Sequence, residues 1–182
     1  MSAYADWGAL IWLACLTCAA GSIAGVARGL RHGRQVGVRV AAAVFLIGTV
    51  AAIVWISLMR GSGYSTTPNL IPMRGIVGEL ENGNRELGLL NVIGNIVMYL
   101  PLGLFAPVAA GGTWWRGLLA GVLLSAVMET LQLALGVGAP DIDDLILNSL
   151  GSAAGAALSI AVNHVANPRR ELKMSPQRTR HP

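Results

Sequence analysis

The chain has 182 residues, 54% hydrophobic and 12% charged, with a formal net charge of +4. An average soluble domain carries roughly 25% charged residues, and a buried soluble core does not account for five long apolar runs in so short a chain. The isoelectric point near 9.7 invites a nucleic-acid reading, but no aromatic-interleaved basic patch accompanies it, so no nucleic-acid partner is expected.

A helix needs about 20 apolar residues to cross a bilayer core. Five stretches meet that length: 7–27, 40–59, 87–110, 117–136 and 145–166. They predict an all-α, polytopic membrane bundle of five transmembrane helices. The first run could pass for a signal peptide, but nothing basic precedes it and no clear A-x-A pattern follows, so it is read as a retained helix. Cys15 and Cys18 lie inside it. With no His or acid nearby, they read as small buried side chains rather than as a redox or metal motif.

Arg28, Arg31, Arg34 and Arg39 separate the first two runs, Arg116 separates the third and fourth, and Arg169, Arg170, Lys173, Arg178 and Arg180 follow the fifth. These are ten of the thirteen basic residues, and they alternate to one side; Arg60, Arg74 and Arg85 lie on the other. The positive-inside rule then places the N-terminus outside the cell membrane and the C-terminus in the cytoplasm. Residues 1–166 form one transmembrane domain. Residues 167–182 form a basic, disordered cytoplasmic tail in reach of anionic headgroups.

The outer loop 60–86 opens with "GSGYSTTPNLIP", rich in turn formers, and Pro68 and Pro72 hold "NLI" along the interface. The third run contains Pro101 and Pro107; Pro101 removes one backbone hydrogen bond and predicts a kink near Val97. The short "GGTWWRG" turn makes the third and fourth helices antiparallel neighbours, with Trp114 and Trp115 at headgroup level. The tight turn 137–140 pairs the fourth and fifth. Gly151 and Gly155 in the fifth run have the GxxxG spacing that admits another helix, and Gly21 and Gly25 offer a second such face.

Polar side chains inside these runs fall at one depth. Asn91 and Asn95 stack one turn apart, Glu129 and Gln132 three apart, and Asp144 and Asn148 four apart. At about 1.5 Å of rise per residue, all six lie within about 10 Å of the outer end of their helices. Each has a plain structural reading. Asp141, after Pro140, is an N-cap, and with Asp144 it resembles an acidic capping box. That does not account for a third carboxylate, Asp143. The asparagines serve equally as interhelical glue, at about 0.6 kcal/mol each. Glu129 is different: an ionisable residue at this depth costs on the order of 3 kcal/mol and is functional by default.

"PNLIP" (68–72), "NVIGNIVMYLPLGLFAP" (91–107), "METLQ" (128–132) and "DIDDLILNSLG" (141–151) resemble, in order and spacing, the motifs of the VanZ-like family, named for a membrane protein that confers low-level teicoplanin resistance. The resemblance covers about 40–165. It carries over to Asn69, Pro72, Asn91, Asn95, Pro101, Gly103, Glu129, Gln132, Asp141, Asp144, Asn148 and Gly151. One departure stands out. Many members have an arginine about three residues before the first acid, where this chain has Gly138, so that role is vacant or falls to Arg74. The resemblance implies a multi-pass cell-envelope protein associated with antibiotic resistance, and stops short of a reaction.

The leading expectation is an outward-facing acidic pocket that binds a peptidoglycan precursor or a glycopeptide. Glu129 is its anionic centre, Asn91, Asn95, Gln132 and Asn148 orient the ligand, Asp143 and Asp144 form the rim, and Arg74 stands nearby. Asp141, Pro101, Gly151 and Gly155 are structural. Partners are the lipid bilayer and that ligand, with no cofactor and no metal. A rival reading is an enzyme on a lipid-linked substrate, with Glu129 or Asp144 as general base or the carboxylates holding a divalent cation. His32, His164 and His181 lie on the inner side and cannot assist it. A third reading is a structural membrane protein without ligand.

Overall fold

Helix formation follows the apolar runs and extends past them. The computed structural model describes residues 3–60, 67–81 and 85–166. The first six residues of the "GSGYST" opening of the outer loop and the basic tail 167–182 lie outside the described residues. In chain order the helices are α1 (Ala3–His32), α2 (Arg34–Arg60), α3 (Arg74–Glu81), α4 (Arg85–Ala110), α5 (Trp115–Leu135) and α6 (Ile142–Ala166). Five of them are long and apolar enough to span a membrane; α3 is not. The α1 and α2 helices run several residues beyond the apolar stretches. Nothing in Arg28, Arg31, Arg34 or Arg39 breaks a helix, and long basic side chains tolerate the bilayer boundary. The short α3 is an element that apolar length could not announce.

Close packing of small residues sets the helix pairs. The α1–α2 hairpin turns at Gly33, whose φ of +91° suits glycine. Added Cβ atoms at Gly25 and Gly37 would come within 2.8 Å of Ala41 and 2.5 Å of the Gly25 carbonyl, respectively. Gly21 meets Phe45 in the same way, so the expected small-residue face of α1 is the α2 contact. Apart from this hairpin α1 has little protein around it, and Trp12, Ile23 and Leu30 are exposed as lipid-facing side chains would be.

The other four long helices form the core. A Cβ at Gly151 would lie 2.1 Å from the Ile96 carbonyl and one at Gly155 1.9 Å from that of Leu100, so the GxxxG face of α6 seats directly on the α4 backbone. Residue pairing runs in step, 96 with 151 and 100 with 155, which makes α4 and α6 parallel. On α5, Gly117, Gly121 and Ser125 are buried, and the Ser152 hydroxyl of α6 donates to the Gly117 carbonyl at 2.9 Å. Pro101 and Pro107 lie inside α4, which runs as one helix through the region of Val97 where proline geometry predicts a bend. Pro107 lacks the N–H that would bond the Gly103 carbonyl. That carbonyl instead lies against Gly117, where a Cβ would come within 2.2 Å of it. Ile53, Tyr99, Leu102 and Met128 complete the core, drawing α2 onto α4 and α5.

The α5–α6 turn closes tightly. Gly136 takes the left-handed conformation (φ 66°), and N–H donation from Gly136 to the Leu133 carbonyl and from Val137 to that of Gln132 forms a Schellman closure. The basic residues 28–39 and Arg116 are therefore at the opposite end of the bundle from this turn and from residues 67–81. Among the described residues no strand forms. One isolated parallel bridge joins Asn69 to Asp141, fastening the outer segment to the start of α6.

Candidate functional site

Stripes of α4, α5 and α6 converge with the end of α2, the start of α3 and the segment before it, at the end of the bundle that holds the α5–α6 turn. There they line a cavity of about 670 Å³. From α4 come Asn91, Asn95 and Tyr99; from α5, Glu129 and Gln132; from the start of α6, Asp141, Asp144 and Asn148. Asn69 and Arg74 reach it from the outer segment. Of the residues expected to bind ligand, Asn91, Asn95, Gln132, Glu129, Asp144, Asn148 and Arg74 are thus brought together.

Asp143 is not part of that wall. It is 3% exposed, and its carboxylate faces the start of α3. Oδ1 accepts from the Met73 N–H at 2.5 Å, and Oδ2 from those of Gly75 and Ile76 at 2.7 and 3.2 Å. The rim role expected for it is therefore replaced by an anchoring one, because the first amides of a helix lack intrahelical partners and attract an anion. Gly75 permits the approach: a Cβ there would lie 3.0 Å from Asp143 Oδ2 and 3.1 Å from Asn69 Nδ2.

Asp141 Oδ1 accepts from the Asp143 N–H at 2.8 Å, the geometry of an N-cap for α6. The reciprocal half of the capping box differs. The Asp141 N–H donates to Glu129 Oε2 at 2.9 Å, so the carboxylate that completes the box comes from α5 and not from Asp144. Asp144 turns across to α4, where its Oδ1 accepts from Asn95 Nδ2 at 2.6 Å. The Asn69 amide group adds a bond to Asp141 Oδ1 at 2.9 Å, and its backbone pairs with Pro140 and Ile142.

Two further ties hold the wall. Gln132 Nε2 donates to the Ser57 carbonyl in the last turn of α2 at 2.8 Å, filling an acceptor that a helix end leaves open. Asn148 Nδ2 donates to Ser125 Oγ at 3.0 Å. Ser57, Tyr99 and Ser125 were not singled out from sequence. The signal for two of them was present: Tyr99 continues the Asn91–Asn95 stripe by four residues, and Ser125 precedes Glu129 by four.

Three carboxylates line the cavity, and Arg74, exposed at its edge, is the only basic residue among the described lining residues. Gly138 also lines it, and the atoms nearest to a Cβ there belong to Gln132, at 3.5 Å or more. Among the described residues no group of three or more His, Cys, Asp or Glu is arranged to hold a metal ion. Chemically the wall offers anionic acceptors, amide groups of both polarities and one cation.

A family model described as VanZ/LLP1 matches residues 41–163. The chain belongs to the VanZ/LLP1 family. No curated protein matches the chain, and no solved structure does. The VanZ/LLP1 span begins within α2 and ends within α6, so it includes every cavity-lining residue and leaves α1 outside. The protein is a multi-pass membrane protein of the VanZ/LLP1 family.

Proposed function

We propose that this protein sits in the cell membrane with its cavity open to the outer face. There it binds a cell-envelope ligand, a peptidoglycan precursor or a glycopeptide, and so contributes to glycopeptide tolerance. The observation that carries the reading is the convergence of polar side chains from three membrane helices on one cavity of about 670 Å³. Packing alone does not require this, since intramembrane polar groups are scarce and expensive. The basic loops at the opposite end support an outward opening through the positive-inside rule. The cavity volume falls within the range of ligand sites, about 300–1,000 Å³.

The test is calorimetric titration of the full chain in detergent with a soluble muramyl pentapeptide and with teicoplanin. Saturable one-site binding of one of them is expected, with the recovered ligand chemically unchanged. Absence of saturable heat with both would contradict the proposal, and a modified ligand would move it to catalysis.

A further inference from the structure

Two buried polar atoms have no hydrogen-bond partner among the described residues, Tyr99 Oη and Asn148 Oδ1. Tyr99 is fully buried and Asn148 is 6% exposed, yet both side chains belong to the cavity wall. Buried polar groups are nearly always paired, so two orphans at one place require a cause. Ser125 Oγ takes one N–H of Asn148, which leaves the Asn148 carbonyl oxygen as a pure acceptor. Ser125 also interacts with the Tyr99 hydroxyl, without meeting the geometry of a full hydrogen bond.

Charge narrows the choice of ligand group. Glu129, Asp141 and Asp144 line the same cavity, and Arg74 at the edge is exposed. A carboxylate or phosphate entering there would be repelled. A hydroxyl would satisfy Asn148 and Tyr99 but leave the carboxylates without a counter-charge in apolar surroundings. Met98 and Met128 share the wall, and flexible thioether side chains repack readily around a small group.

We propose that the cavity receives a primary ammonium group of its ligand. This rests on the reading that the cavity binds an envelope ligand. The three N–H donors of an ammonium match Asn148 Oδ1, a lone pair of Tyr99 Oη and the Glu129 carboxylate, and its charge offsets theirs.

The experiment compares two peptides on the wild-type full chain in detergent: a lysine-containing muramyl pentapeptide with its ε-amine free, and the same peptide with that amine acetylated. Acetylation is expected to weaken binding about tenfold or more, the scale of a lost charge-assisted bond. Tyr99→Phe should weaken the free-amine peptide about fivefold and leave the acetylated one unchanged. Equal affinity of the two peptides for wild type overturns the ammonium proposal while the cavity reading stands. Binding of neither peptide overturns the ammonium proposal as well, and the cavity reading is then decided by the teicoplanin titration. If Tyr99→Phe does not fold, the two peptides on wild type decide the matter alone.

Discussion

The three aspartates at the start of α6 have three different jobs, each separable by substitution. Asp141 caps the helix with one oxygen, and asparagine caps nearly as well, so Asp141→Asn should change stability by less than about 0.5 kcal/mol. Thermal unfolding in detergent checks it. Asp143 accepts three backbone N–H groups of the outer segment. Asp143→Ala strands those part-buried amides, where about 1–3 kcal/mol per unpaired donor is the upper bound set by full burial. Hydrogen exchange at Met73, Gly75 and Ile76 should then speed up about tenfold or more, whereas exchange rates like those of wild type would show the anchor to be idle. Asp141's role was legible because a cap is a local arrangement next to Pro140. Asp143's was not, since its partner Gly75 lies 68 residues away and no spacing in the sequence links them.

At the scale of elements, the decisive contact is α4 against α6. Leucine at Gly155 would drive its Cβ into the Leu100 carbonyl, 1.9 Å away, and overpacking of this kind typically costs about 1–3 kcal/mol. Gly94, also on α4, has nothing within 4 Å of a Cβ. Gly155→Leu should therefore lower the yield of folded protein in size-exclusion chromatography, and Gly94→Leu should not; equal yields would mean that the close approach is dispensable. The apolar runs announced the five spans because lipid demands length and hydrophobicity together. They could not announce α3, whose eight residues include Glu79 and Glu81. Its faint signal was Ile76, Val77 and Leu80 at helical spacing. The Gly151–Gly155 pair showed that some helix comes close, but the choice of α4 as partner came from tertiary packing.

For the whole molecule, orientation and binding are joined. The basic loops predict that Leu70, exposed on the cavity end, faces outward and that His32 faces the cytoplasm. With Cys15 and Cys18 replaced by alanine, an impermeant maleimide added to intact cells should label Leu70→Cys and spare His32→Cys. The reverse labelling would place the cavity on the wrong face for an envelope ligand. The depth at which polar residues gather was readable from helix spacing alone. The bonds among them were not, because Glu129 to Asp141 and Asn95 to Asp144 depend on rotations that topology leaves open. Glu129→Gln tests the central claim most directly. Glutamine keeps an oxygen for the Asp141 N–H and removes only the charge, so the helical spectrum and chromatographic profile should match wild type. Titration with the muramyl pentapeptide or teicoplanin, whichever binds wild type, should then show affinity reduced about tenfold or more. Affinity equal to wild type in a folded Glu129→Gln protein would contradict the account.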